Sequence, residues 1–325
     1  MGAVALVLCG LALGGWIGYF AYTAVDVPAA AREFTVGQGS TLRGVARELV
    51  AKGVLSESAT FVVLGRLLGK AGAVKAGIYQ LPERITPYAL IAKFARGEVL
   101  QSEVTVVEGW TFAQMRAALD AHPAVRHDTV GFTDRQVLDR LRAPENYPEG
   151  LFFPDTYRFN AGSSDLQILG LAYQTMEARL RAAWESRDAG LPYPTPYEAL
   201  IMASIVEKET GRPEDRRLIA AVFTNRLRHG MRLQTDPTVI YGLGPKYDGN
   251  LHKRDLETDG PYNTYTRFGL PPTPIALPSQ ASLEAVMSPA PSPALYFVAR
   301  GDGTSEFSRS LEEHNRAVRK YQLKR

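Results

Sequence analysis

Cysteine and histidine are scarce in this 325-residue chain, and their scarcity excludes several kinds of site. The one cysteine, Cys9, cannot form a disulfide within the chain, so the fold must be held by packing. The few histidines show no spacing typical of metal ligands, and H-E-x-x-H is absent. We therefore predict no metal and no cofactor. The five histidines are His122, His127, His229, His252 and His314.

Other common catalytic motifs are also missing. The sequence contains neither a P-loop nor G-x-S-x-G, and Gly242-Leu243-Gly244 lacks the third glycine of a dinucleotide-binding turn. The formal net charge is only +3, without a long run of Lys or Arg, which argues against a dedicated nucleic-acid-binding protein. Carboxylates are the remaining candidates for catalysis.

Charge is absent from residues 2–25, a stretch long enough to cross a membrane as a helix. Aromatic residues crowd its C-terminal end, as they do at a bilayer interface. We predict a membrane anchor over residues 1–25 and a linker over 26–32. A cleaved signal peptide is the alternative, although the segment has no basic start. A lipid anchor at Cys9 is disfavoured because Leu8, and not a small residue, precedes it.

A repeated pattern follows the linker: a short β-type run, a polar turn, and an amphipathic helix opened by Ser or Thr. It starts at Phe34, at Gly77 and at Val104. The second helix has Thr86-Pro87 at its start, where the missing N–H of proline costs nothing. The first two copies, residues 33–98, resemble a LysM-like module of wall-binding proteins, and a generic α+β packing domain is the alternative.

Residues 99–325 are expected to form a mixed α+β domain. Predicted helices cover Leu166–Trp184, Tyr197–Thr210 and Glu214–Arg228, and the third is closed by His229-Gly230. A strand at Leu295–Ala299 and a polar helix at Ser310–Tyr321 complete the chain. The predicted fold class is therefore α+β, with an N-terminal transmembrane helix, a small LysM-like βα module and a mixed α+β catalytic domain.

Two glutamates appear abruptly at the end of a helix that is otherwise built for burial. At 100° per residue, Glu209 shares the apolar stripe with Met202, Ile205 and Val206, whereas Glu207 points nearly the opposite way. Desolvation on an apolar face raises the pKa of a carboxyl group, as a general acid requires. Glu209 is therefore the favoured acid and Glu207 the secondary candidate.

A plainer interpretation is that Glu209 ends its helix in solvent, paired with Arg212. A family resemblance favours the catalytic interpretation. Residues 200–242, including E-K-E-T and L-Q-T-D-P-T, resemble the YceG-like family of endolytic murein transglycosylases. Further matching motifs are EGLFFPDTYRF at 149–159, YNTYT at 262–266, GLPP at 269–272 and LYFVA at 295–299.

The resemblance implies a single-pass enzyme of the cell inner membrane with its catalytic domain in the periplasm. Such an enzyme cuts the β-1,4 bond between N-acetylmuramic acid and N-acetylglucosamine in nascent peptidoglycan. It leaves 1,6-anhydro ends and ends glycan elongation. Peptidoglycan synthases are the implied partners. The family's catalytic glutamate matches Glu209-Thr210, which leaves one residue to act as both acid and base.

Candidate substrate contacts lie in polar and aromatic loops of the same domain. Each could instead be structural: Asp236-Pro237 is typical of a turn and Asn263 of a side-chain cap. Arg226, Arg228 and Arg232 could meet anionic peptide stems, although a solvated helix face is also expected. The predicted contacts are Gln234, Thr235, Asp236, Tyr241, Asn263, Tyr265, Glu149 and Asp155.

Two alternative functions stay open at this stage. One is a water-using muramidase with Asp236 or Glu149 as its second carboxylate. The other is a non-catalytic wall-binding protein, either a scaffold for synthases or a carbohydrate sensor.

Overall fold

A computed structural model describes residues 2–322, with the side chains of residues 2–7 and 9 outside that description. The predictions that concern Met1 and the Cys9 side chain therefore lie outside the described part. The helices are α1 (Gly2–Tyr22), α2 (Leu42–Ala51), α3 (Ala59–Leu67), α4 (Pro87–Arg96), α5 (Phe112–Asp120), α6 (Asp134–Leu141), α7 (Asp165–Glu185), α8 (Pro196–Glu209), α9 (Pro213–Arg228), α10 (Asp236–Leu243), α11 (Lys253–Glu257), α12 (Gln280–Met287) and α13 (Leu311–Tyr321). The strands are β1 (Val25–Asp26), β2 (Glu33–Val36), β3 (Gly77–Gln80), β4 (Arg84–Ile85), β5 (Gln101–Thr105), β6 (Thr156–Asn160), β7 (Tyr296–Ala299) and β8 (Ser305–Ser308).

Helices supply most of the fold, because each sheet of the described chain has only two strands. The pairs are β1–β4, β2–β3, β5–β6 and β7–β8. The α+β class is thus confirmed. The chain forms two compact units: unit 1 comprises residues 1–103, 123–126 and 158–163, and unit 2 comprises residues 104–122, 127–157 and 164–325.

Unit 1 packs helices on the antiparallel pair of β2 and β3, in which Phe34 faces Tyr79. Phe34, Tyr79 and Phe94 are fully buried and in ring contact. The start of α4 follows the prediction, with Thr86 accepting a hydrogen bond from the backbone of Ala89 and Pro87 in the first turn. The sequence reasoning did not predict α3, which fills the interval between α2 and β3.

The N-terminal segment is part of unit 1. Ala21 is buried in its core, Ile17 and Phe20 pack against that core, and Tyr22 stacks on Tyr88 at 5.5 Å between ring centroids. Residues 26–32, expected as a linker, contribute to β1 and to a 3-10 helix at Ala29–Ala31. Within the described residues, none of the helices combines the length and the apolar character needed to span a membrane.

Unit 2 is organised around α8, which packs against α7, α9, α10 and α12. Residues 199–206 are buried without interruption, so α8 is apolar on all faces, as expected of a core helix. Its start is fixed by a capping box between Thr195 and Glu198, with Pro196 in the first turn. The helix ends at Glu209, and Thr210 is extended.

Two further elements of unit 2 border the end of α8. Helix α9 carries acidic residues in its first turn and Arg226 and Arg228 in its last turn, which suits the helix dipole. Gly230 follows it with φ +62°, in agreement with the predicted glycine stop. The antiparallel pair of β7 and β8 then packs against α13, which Ser310 caps through the backbone of Glu313.

Candidate active site

The two glutamates at the end of α8 have different surroundings. Glu209 is half-buried and lines a cavity of about 590 Å³, a size typical of ligand sites. The side chain of Glu207 is only 7% exposed and does not line this cavity. A separation of two residues on one helix therefore sends one carboxyl group to the cavity and the other into the protein.

Glu207 holds the start of α12. Its Oε2 accepts hydrogen bonds from Ser279 N (2.9 Å), Ser279 Oγ and Ser282 Oγ (2.7 Å). Arg216 lies 4.0 Å from its other oxygen. A carboxylate at a helix N-terminus satisfies free backbone donors and interacts favourably with the helix dipole. The position of Glu207, the secondary catalytic candidate, therefore indicates a structural role.

Glu209 accepts a hydrogen bond from the hydroxyl of Thr235. Burial raises the pKa of its carboxyl group to about 6, opposed by the Thr235 hydrogen bond and by Arg226 and reinforced by the nearby charge of Asp236. Desolvation is the largest of these effects. The predicted partner Arg212 instead lies 3.7 Å from Glu214. The group is thus a carboxylic acid with an elevated pKa and access to a cavity.

The loop that carries Thr235 is held by a buried threonine cluster. The carbonyl of Thr264 accepts a hydrogen bond from the backbone N–H of Gln234, and its hydroxyl accepts one from the backbone N–H of Thr235, both at 3.1 Å. Thr238 donates to the carbonyl of Thr235 and contacts the Thr264 hydroxyl. Gln234 has a φ of +52°, a conformation that costs energy for a non-glycine residue. The surrounding bonds keep this strained loop against Glu209.

Arg226 is buried and does not lie on a solvated helix face. Its guanidinium donates to the carbonyls of Arg232, Leu233 and Leu295, and it lies 5.0 Å from the centre of the Tyr296 ring. It also lines the cavity that contains Glu209. Arg226 therefore joins the start of the strained loop to β7 and places a positive charge near Glu209.

Asp236 and Tyr265 share the cavity with Glu209. The hydroxyl of Tyr265 donates to Oδ1 of Asp236 at 2.5 Å, and the backbone N–H of Tyr265 donates to Asn263. Burial raises the pKa of the Tyr265 phenol above its ordinary value. The structure thus brings Gln234, Thr235, Asp236 and Tyr265 together around Glu209.

The other predicted substrate contacts, Tyr241 among them, lie away from the residues that line this cavity. Asn263 is buried, and its amide group donates to carbonyls of α11 and of Thr258. Glu149 is buried between Phe112 N (3.0 Å) and the hydroxyl of Tyr241 (3.1 Å). None of these residues lines the cavity, and nor does Asp155, which accepts from its neighbour's N–H.

Glu149 has a more perturbed carboxyl group than Glu209. Burial raises its pKa to about 7, opposed by the hydrogen bonds from Phe112 and Tyr241. Because it joins the start of α5 to the middle of α10, its arrangement is that of a structural contact. Both glutamates have a raised pKa, so the pKa does not identify the catalytic one. Only the tertiary fold shows that Glu209 lines a cavity and Glu149 does not.

The sequence analysis missed one wall of the cavity. That wall is formed by residues 296–299 of β7 and by Leu311, His314 and Val318 of α13. His314 stacks on Tyr296 with 5.3 Å between ring centroids. The LYFVA motif and the polar C-terminal helix were recognised in the sequence, but that they line one cavity with Glu209 depends on the tertiary fold.

Among the residues that the structure describes, Asp120, His127 and Asp165 form a group that could hold a metal ion, and this group does not include Glu209. The Asp165 carboxylate already accepts hydrogen bonds from the backbone of Asp128 and Thr129. These bonds indicate that it fixes the start of α7.

A cavity that contains an accessible and desolvated carboxylic acid is typical of enzymes that use general acid–base catalysis. The model of the YceG-like family matches residues 34–320, so the chain belongs to this family. An endolytic murein transglycosylase of Bacillus subtilis is 33% identical over 305 residues, covering 88% of this chain and 83% of that protein.

Two further relatives support the family assignment. An endolytic murein transglycosylase of Streptococcus pneumoniae is 27% identical over 95% of this chain, and the chain spans 62% of its length. A crystal structure of a YceG-like protein from Listeria monocytogenes has a TM-score of 0.55 and 30% identity, covering 90% of this chain and 98% of that one.

Substitutions at two neighbours of Glu209 are expected to shift its pKa in opposite directions. Thr235→Val removes the donor that stabilises the carboxylate, so the pKa of Glu209 should rise by about one unit. Asp236→Asn removes a nearby negative charge, so the same pKa should fall. Carboxyl-carbon NMR of glutamate-labelled protein would measure both shifts. Shifts in the same direction would contradict this account of the site.

Proposed function

We propose that this chain is a lytic murein transglycosylase that cleaves peptidoglycan glycan strands internally, with Glu209 as its single acid and base. The observation that carries the proposal is the position of Glu209: it is half-buried, lines the cavity and is hydrogen-bonded to Thr235. The names of the Bacillus and Streptococcus relatives support the choice of substrate.

The raised pKa makes Glu209 a usable acid. With a pKa of about 6 it keeps roughly a tenth of the molecules protonated at pH 7, whereas an ordinary glutamate would keep well under one in a hundred. Protonated Glu209 would donate its proton to the glycosidic oxygen while the bond from that oxygen to C1 of N-acetylmuramic acid breaks. Positive charge then develops at C1 and its ring oxygen.

The second half of the reaction uses the same residue. The Glu209 carboxylate would accept the proton of the muramic acid 6-hydroxyl, whose oxygen closes on C1 and forms the 1,6-anhydro ring. The proton count balances, since Glu209 ends protonated as it began, and no water is consumed. Arg226 and the Thr235 hydroxyl stabilise the carboxylate between the two steps.

A water-using muramidase needs a second carboxylate on the cavity. Glu149 is a poor candidate because it is buried against Phe112 and Tyr241. Asp236 shares the cavity, and Tyr265 binds one of its oxygens. The products distinguish the two reactions, since hydrolysis leaves reducing ends and lytic cleavage leaves 1,6-anhydro ends.

Glu209→Gln and Glu207→Gln form a matched pair that tests this proposal. On glycan strands, we expect wild type to produce 1,6-anhydro ends and Glu209→Gln to lose at least about a thousandfold in rate while remaining folded. Glu207→Gln should keep its activity per folded molecule and lose about 1–3 kcal/mol of unfolding free energy, because it weakens a buried contact to α12.

Mass spectrometry of the products and chemical denaturation of each variant would provide these measurements. Reducing ends from the wild type would favour the muramidase. Full activity in Glu209→Gln would exclude Glu209 as the acid. Absence of turnover in the wild type, with binding retained, would favour the scaffold or sensor.

We also propose that the protein is attached to the cell inner membrane by its N-terminal segment, with unit 2 in the periplasm. The support is the uncharged segment 2–25 and the exposed side chains of Leu8, Leu11 and Leu13. Membrane fractionation and a C-terminal reporter that is active only outside the cytoplasm would test this. A protein found in the soluble fraction, or a silent reporter, would overturn it.

Unit 1 is proposed to bind glycan as a LysM-like module, and peptidoglycan synthases are the proposed partners of the whole protein. Support comes from the compact unit in which the antiparallel strands β2 and β3 are connected through α2 and α3. Hydrogen exchange of the full-length Glu209→Gln protein with added glycan strands should show protection in unit 1. Protection confined to unit 2 would contradict a glycan-binding role for unit 1.

A further inference from the structure

The cavity extends well beyond Glu209. Glu209 and the loop residues Leu233, Gln234 and Asp236 line one part of it. Another part, here called the distal wall, consists of residues 296–299 of β7 together with Leu311, His314 and Val318 of α13. The proposed cleavage reaction assigns no role to this wall. Its composition indicates what it could bind.

Strand β7 has one unpaired edge within the described part of the chain, because its partner there is β8 alone. All four of its residues line the cavity. An edge strand presents backbone N–H and C=O groups in a row, and an extended peptide can pair with them. This arrangement suits a peptide better than a sugar ring, whose hydroxyl groups have no such repeat.

The side chains of the distal wall are mostly apolar. Leu311 is 56% exposed at the edge of the cavity, and Val298 and Val318 lie further along the same wall. Sugar hydroxyl groups placed against these side chains would lose hydrogen bonds to water without replacement. Small aliphatic groups of a peptide would instead gain apolar contact there.

Positive charge lies beside the distal wall. The Arg226 guanidinium lies over the ring of Tyr296, a residue of the wall that also stacks on His314. The Nδ1 atom of His314 is buried and has no hydrogen-bond partner among the described residues. The positive charge of Arg226 beside the distal wall favours an acidic peptide over a neutral one.

We propose that the distal wall is a subsite for the peptide stem of the substrate, so that the protein acts preferentially on glycan that still carries its stems. The inference rests on the proposed function. N-acetylmuramic acid bears its acidic peptide through a lactyl group on O3, and cleavage occurs at C1 of the same sugar. A stem attached to the reacting sugar is therefore close to Glu209 and can reach a wall of the same cavity.

The test compares glycan strands that carry peptide stems with strands of equal length from which an amidase has removed them. Wild type should cleave the first faster. Leu311→Glu places a negative charge at the edge of the cavity, where it should repel an acidic stem and lower the ratio of the two rates about tenfold. His314→Ala should lower the same ratio by removing the ring beside Tyr296.

Asn315→Glu is the matched control, because it adds the same charge to α13 at an exposed position that does not line the cavity. Its rate ratio should equal that of the wild type. Thermal denaturation of each variant would show whether the helix remains in place. A wild type without preference, or a ratio unchanged in Leu311→Glu, would overturn the proposal. Equal losses on both substrates would indicate a sugar subsite and overturn it too.

The outcome can be separated from failure of the proposed function. If neither substrate yields 1,6-anhydro ends, the function is wrong. If both yield them in a reaction that requires Glu209, and the ratio is the same in every variant, only the peptide subsite is wrong. Binding of N-acetylmuramoyl-dipeptide to the Glu209→Gln protein provides a readout without turnover, and it should be weaker in the Leu311→Glu background.

Discussion

The burial of residues 199–206 of α8 is the constraint on which the rest of unit 2 depends. Because residues 199–206 are enclosed by neighbouring helices, a charged side chain on this helix can be tolerated only where the enclosure ends. Glu207 and Glu209 lie at that boundary. Glu207 accepts hydrogen bonds from the serines at the start of α12, and Glu209 opens onto the cavity. The same helix end therefore provides a packing contact and a reactive group.

The loop that carries Thr235 beside Glu209 is held in place by side chains whose main role is structural. Thr264, Thr238 and Arg226 bind its backbone from three sides, while Gln234 keeps a left-handed conformation. Such a conformation costs about 1–3 kcal/mol and persists only where its surroundings fix it. The threonine cluster can do so because it is buried and its hydrogen bonds are satisfied within the protein.

Periodicity and a glycine stop such as Gly230 act locally on the backbone, so they were sufficient to predict α7, α8, α9 and α13, whereas α6, α10, α11 and α12 were not predicted. Helix geometry also indicated that Glu207 and Glu209 point in different directions, but Glu207, expected opposite the apolar stripe, has a side chain that is only 7% exposed. Asn263, predicted as a substrate contact, shows what the sequence leaves undecided. A side-chain amide can donate to a sugar or to the carbonyls of a helix end. Which of the two Asn263 does depends on its distance to α11, which the sequence does not give. The distal wall was likewise beyond prediction, because it requires β7 and α13 to line one cavity with Glu209 at the end of α8.

A raised pKa does not by itself identify the acid, as Glu149 and Glu209 demonstrate. Burial raises the pKa of Glu149 to about 7 and that of Glu209 to about 6. In both cases the folded state favours the protonated form. The resulting contribution to stability is complete below about pH 4.5 and is lost as the pH rises through the folded values. Near neutral pH both residues therefore reduce stability. Glu149 does so in a closed contact between α5 and α10, whereas Glu209 does so beside a cavity that a substrate can enter. Glu209 is the candidate acid because its desolvated carboxyl group can also be reached by a substrate.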